Sequence, residues 1–105
     1  MNFIDLVKQS AEKKIIYSHH ALDEMTSDNE MVTADEVRDV IFSGEIVEDY
    51  PNDKRGHSCL MFGVPSTGKP IHLVCAPKDE YLAIITVYRP TLDKWEPSLK
   101  VRRKR

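Results

Sequence analysis

Gly44 divides this chain into two stretches with different hydrophobic periods, and that division constrains the fold more than any other feature. Before it, apolar residues recur three and four positions apart, the spacing that gathers them on one side of a helix. Phe3, Leu6, Val7, Ser10 and Ala11 predict a short amphipathic helix over 3–13. Ser18 is a good N-cap for a second helix of about 19–27, striped by Ala21, Leu22 and Met25. Thr33 opens a third, and Glu36 three residues on completes a capping box. Val37, Val40 and Ile41 form its buried face, and Gly44 reads as a left-handed stop. Ile15-Ile16-Tyr17 reads as a brief apolar connection, and Thr26-Ser27-Asp28-Asn29 as a turn.

After Gly44 the apolar residues come in short runs of strand length. Ile46–Tyr50, Ser58–Gly63, Ile71–Ala76 and Tyr81–Tyr88 are separated by loops rich in Pro, Gly, Asn, Asp and Lys. No helix lies between them, so the expected arrangement is an antiparallel meander. The third and fourth runs are apolar on both faces and belong at its centre. The fold class is therefore α+β, with N-terminal helices packed on a four-stranded antiparallel meander sheet. One domain is expected over 1–97, with Trp95 pinning an irregular segment to the body, and a basic tail over 98–105.

That tail skews the charge. Lys100, Arg102, Arg103, Lys104 and Arg105 hold five of the 15 basic residues, leaving 10 against 17 acidic ones, a net of −7 over positions 1–99. An acidic body with a basic tail suits an acidic partner or a nucleic acid, while a solvated, frayed terminus is the plainer reading. Hydrophobic content of 41% and charged content of 30% are those of a globular protein. No apolar run has the roughly 20 residues of a membrane helix, and the N-terminus lacks the pattern of a signal peptide. Cys59 and Cys75 lie inside apolar runs and read as buried free thiols, which suggests a cytoplasmic protein.

The groups with chemical potential sit at the ends of these elements. His20 falls in the first turn of the second helix, where the helix dipole disfavours a second positive charge and leaves the imidazole available as a base. His19 faces another direction. His72 shares a strand face with Val74 and Ala76, whereas Ile71, Leu73 and Cys75 take the other. In the fourth strand strict alternation groups Leu82, Ile84, Thr86 and Tyr88. Should His72 and Tyr88 share a face of neighbouring strands, an imidazole and a phenol meet beside Arg89, which can hold a phosphate in bidentate fashion. Each also has a structural reading: a solvent-exposed His20, a hydrogen-bonded His72 at the edge of the core, a core Tyr88. Glu45, Glu48 and Asp49 can orient a histidine or guard a strand edge. His57, Cys59, His72 and Cys75 cannot all converge, and no metal-ligand spacing is present, so no metal or cofactor is expected. Thr67-Gly68-Lys69 lacks the spacing of a phosphate loop and is a turn.

Ile16-Tyr17-Ser18-His19-His20-Ala21, Asp35-Glu36-Val37, Gly44-Glu45-Ile46-Val47-Glu48-Asp49-Tyr50-Pro51, Ile71-His72-Leu73-Val74, Ile84 to Pro90 and Trp95-Glu96-Pro97 occur in that order. Their combination resembles the domain-of-unknown-function family numbered 4258, over about residues 15–97. That family in turn resembles the RelE and BrnT toxins, small ribonucleases of bacterial type II toxin–antitoxin systems. The resemblance implies a RelE-like fold in which helices cover one sheet face and RNA binds the other. His20 matches the family's characteristic histidine, and His72, Tyr88 and Arg89 match its later sheet positions. Asp23-Glu24-Met25 and Asp28-Asn29-Glu30 stand where arginines are usual, which weakens RNA binding on that surface.

The leading expectation is a toxin-like, metal-independent RNA-binding protein and endoribonuclease. His20 or His72 would deprotonate the ribose 2′-hydroxyl, Arg89 would stabilise the phosphorane and Tyr88 would position the base or phosphate. Its partners would be RNA and an antitoxin-like protein or a second copy of the chain, with no membrane. The alternatives are a non-catalytic protein-interaction module and a toxin fold that retains binding after losing catalysis.

Overall fold

The described residues of the computed structural model, 2–27 and 31–104, form three helices and five strands. In chain order these are α1 (Phe3–Lys13), β1 (Ile15–Tyr17), α2 (His19–Thr26), α3 (Ala34–Ser43), β2 (Glu45–Tyr50), β3 (Ser58–Gly63), β4 (Ile71–Pro77) and β5 (Leu82–Tyr88). The turn expected at 26–29, the acidic stretch at 28–30 and the last tail residue, Arg105, lie partly or wholly outside the described residues.

Each helix begins on the side-chain cap its sequence supplies. The Asn2 side chain accepts from the Asp5 amide and Ser18 Oγ from the Ala21 amide. Thr33 and Glu36 form the reciprocal capping box. Such a cap is worth about 1 kcal/mol. Gly44 ends α3, but not as a left-handed stop: its φ is −83° and ψ −170°. What requires glycine is space, because a Cβ there would lie 2.5 Å from the carbonyl oxygens of both Val40 and Phe62.

The sheet has five strands in the order β1-β5-β4-β3-β2, and it is mixed rather than purely antiparallel. Ile15-Ile16-Tyr17 is not a bare connection. It runs parallel to β5, with Ile15 opposite Leu82 and Tyr17 opposite Ile84. Three residues are too few to show a period, and a parallel partner 67 positions away leaves no local trace. The other pairs follow the expected meander.

The three helices bury one face of the sheet. Val7, Ala21, Val37 and Ile41 pack there against Leu73 and Ile84. Strict alternation fails in β5, where the register against β4 shifts between Ile84 and Thr86. Leu82, Ile84 and Val87 therefore belong to the helix-side core, while Ile85 and Tyr88 join the opposite cluster with Leu60, Val74 and Trp95. The expected grouping of Tyr88 with Ile84 is corrected by this one-residue bulge, which re-aims every later side chain.

The basic C-terminal segment folds back over that second face. Trp95 bridges antiparallel to Arg102, the Glu96 amide donates to the Val101 carbonyl and the Arg103 amide to the Lys94 carbonyl. Trp95 is 2% exposed, so its ring anchors this strap to the sheet as the sequence suggests.

Candidate functional site

His72 and Tyr88 are register partners on β4 and β5. The Tyr88 hydroxyl donates to His72 Nδ1 at 3.0 Å, and His72 Nε2–H donates to the Leu99 carbonyl at 2.6 Å. Those roles require the neutral imidazole with its proton on Nε2. The ring is fully buried, its centroid 4.3 Å from that of Trp95 and nearly perpendicular to it. Burial pushes the His72 pKa below its ordinary value, and burial pushes Tyr88 up to about 12. The imidazole thus holds the strap. Leu99, whose carbonyl it grips, takes a left-handed backbone with φ of 63°, a conformation costing roughly 1–2 kcal/mol for a side chain of this kind.

His20 has a different setting. It lies in the first turn of α2 with 69% of its side chain exposed, and its Nε2 is 3.3 Å from Glu24 Oε1, one turn along the helix. Glu24 is itself fixed. β1 stops opposite Ile84, so the edge of β5 beyond that point has no strand to pair with. α2 covers it: Ser18 Oγ donates to the Ile85 carbonyl, and Glu24 accepts from the Val87 amide at 2.9 Å and from the Thr86 hydroxyl. One carboxylate thereby satisfies the strand edge and holds an exposed imidazole.

Arg89 turns toward α3. Its Nη2 is 3.2 Å from both Glu36 carboxylate oxygens and 2.9 Å from the Met31 carbonyl, and Nη1 donates to the Lys69 carbonyl. Burial alone would raise the Glu36 pKa, but hydrogen bonds from Thr67, the Thr33 amide and Arg89 outweigh it and hold the carboxyl below its ordinary value. The guanidinium expected to grip a phosphate is committed to the start of α3. The structure therefore brings His72 and Tyr88 together, but it directs the imidazole of His20 to Glu24 and the guanidinium of Arg89 to Glu36.

A cleft of about 480 Å³ opens between the end of β5, α2 and the strap, lined by Glu24, Tyr88, Arg89, Thr91, Lys94, Trp95 and Arg102. Three of these carry positive charge. Arg102 lies with its guanidinium carbon 4.7 Å from the centre of the Trp95 ring and forks onto Glu48 through Nε at 2.8 Å and Nη2 at 3.0 Å. Burial would raise Glu48, yet hydrogen bonds from Arg102 and Tyr50 win and keep it ionised below its ordinary range. The Lys94 ammonium has no hydrogen-bond or ion-pair partner among the described residues.

Sequence reasoning missed Glu24, Lys94 and Arg102 as members of one site. The spacing of His20 and Glu24, four apart on a helix, was a usable signal. Nothing local links Arg102 to Glu48, 54 positions earlier. The other acidic residues of β2 also have partners: Glu45 pairs with Lys100, and Asp49 with His57 at 2.6 Å. Among the described residues, no three His, Cys, Asp or Glu side chains converge as a metal site requires, and no helix is long and apolar enough to cross a membrane.

The family model described as Domain of unknown function (DUF4258) matches residues 17–89. The chain belongs to that family. The DUF4258 match runs from the end of β1 to the residue after β5, so it includes His20, Glu24, His72, Tyr88 and Arg89. The strap, with Lys94, Trp95 and Arg102, follows it. No curated protein and no solved structure matches the chain.

Proposed function

We propose that this DUF4258 protein is a toxin-like RNA-binding protein that cleaves RNA without a metal, with His20, the partner of the cleft residue Glu24, as the general base. The observation that carries the reading is that Glu24, whose carboxylate lies 3.3 Å from His20 Nε2, lines one cleft with Lys94 and Arg102. An imidazole on an exposed helix turn can take the 2′-hydroxyl proton of a ribose laid in the cleft. The 2′-oxygen then attacks the adjacent phosphorus, and Lys94 and Arg102 offset the charge that develops there. Lys94, whose ammonium is unpaired among the described residues, can return a proton to the departing 5′-oxygen. In this account His72 and Tyr88 support the strap, and Arg89 supports α3. The resemblance to RelE and BrnT toxins favours the same substrate and suggests an antitoxin-like protein, or a second copy, as the partner.

Incubation of the purified protein with RNA in a chelating buffer tests this. Fragments ending in 2′,3′-cyclic phosphate are expected from the wild type, with the rate at least about 100-fold lower for His20→Ala. Intact RNA with wild-type protein would remove the catalytic reading. A second reading, a toxin fold that binds without cleaving, draws on a specific observation: two of the groups that sequence reasoning assigned to chemistry, His72 and Arg89, are occupied by internal contacts. Binding of RNA without cleavage would select it.

A further inference from the structure

A second cavity, of about 300 Å³, adjoins the first and is lined by Asp93, Lys94, Arg102, Arg103 and Lys104. Lys94 and Arg102 line both. The two cavities are therefore neighbours along the strap, with cations on either side of a shared pair. Several contacts hold the strap in place. Trp95 is buried beneath it, the Trp95–Arg102 bridge closes it, and Arg103 is fixed by Glu96 and the Leu92 carbonyl.

Among the described residues, no aromatic side chain lines the second cavity. The Trp95 ring beside it lies under the Arg102 guanidinium. Bases stack on open aromatic faces, whereas phosphates need only cations. We infer that the second cavity is a phosphate-backbone subsite, adjoining the cleft, which holds an RNA chain beyond the cleaved nucleotide and reads its backbone rather than its bases. This rests on the RNA reading of the cleft and extends it. Arg103 and Lys104 supply the added attraction, and Lys94 and Arg102 span the two subsites.

Fluorescence anisotropy on the full chain, at several salt concentrations, tests the inference. The probes are a 12-nucleotide oligo(A), a 12-nucleotide oligo(U), a dinucleotide and inorganic polyphosphate as competitor. The variant is Arg103→Gln with Lys104→Gln, two exposed positions far from His20 in sequence. Oligo(A) and oligo(U) should bind wild type within about threefold of each other. The variant should bind both 12-mers roughly 10-fold more weakly, with a log–log salt slope shallower by about 0.7 for every phosphate it no longer neutralises. Its affinity for the dinucleotide should not change. Equal 12-mer affinity for variant and wild type overturns the subsite, as does a strong preference for one homopolymer. If wild type binds no oligonucleotide at all, the RNA reading of the cleft fails first, and polyphosphate binding alone would identify a general polyanion site instead.

Discussion

His20 and His72 show how one residue type takes opposite roles from its surroundings. Both nitrogens of His72 are used, and burial keeps it neutral, so it contributes through geometry. Its pKa is lowered from 6.5 in the folded protein, so below that value the unfolded chain binds more protons. Its contribution to stability is full above 6.5 and is lost as pH falls below it toward the lowered folded value. Thermal melts should show this: between about pH 7 and pH 5 the Tm of wild type falls more than that of His72→Gln, whose side chain does not titrate. Parallel curves would mean that His72 is not the buried neutral group described. His20 is the converse case. It is mostly exposed and its ion-pair partner among the described residues is Glu24 on its own helix, so His20→Ala should shift Tm little while abolishing activity. Glu24 lines the cleft, but its carboxylate is engaged by the Val87 amide on the edge of β5.

At the scale of elements, legibility followed locality. α1 and β3 have the bounds that their residue patterns predict, and α3 begins on the capping box that Thr33 and Glu36 advertise. Each of these depends on residues within a few positions of one another. β1 was missed because its partner is β5, and the grouping of Tyr88 was missed because a bulge has no signature in the alternation it interrupts. The same limit applied to the site: His20 and Tyr88 were visible as candidates, whereas the cleft depends on a strap whose contacts to β2 span half the chain. Thr33→Ala tests the capping account. It should cost about 1 kcal/mol in a urea melt with an unchanged m-value. Because Glu36 also takes Arg89 and Thr67, a much larger loss would show that the cap and the Arg89 clamp act as one unit.

Across the whole molecule, the helices seal one sheet face and the strap seals the other, leaving the cleft where the strap, α2 and the end of β5 meet. The second seal depends on few groups: Trp95, the grip of His72 on Leu99, and the fork of Arg102 on Glu48. Trp95→Ala should therefore cost about 3–5 kcal/mol and expose the sheet face, read as dye binding and accelerated amide exchange in β4 and β5. Unaltered exchange there would mean that the strap packs independently of its tryptophan. The Glu48 carboxyl sits below its ordinary 4.5, so its bridge to the strap persists above that value and weakens as pH falls through the lowered one. The central claim is that the cleft does its chemistry through His20, with His72 as a support. It is tested most directly by single-turnover cleavage of one RNA oligonucleotide by wild type, His20→Ala and His72→Gln, beside a copy lacking the reactive 2′-hydroxyl. Cleavage by wild type and more weakly by His72→Gln, with none by His20→Ala and none of the deoxy copy, is the predicted result. Full activity in His20→Ala would contradict it.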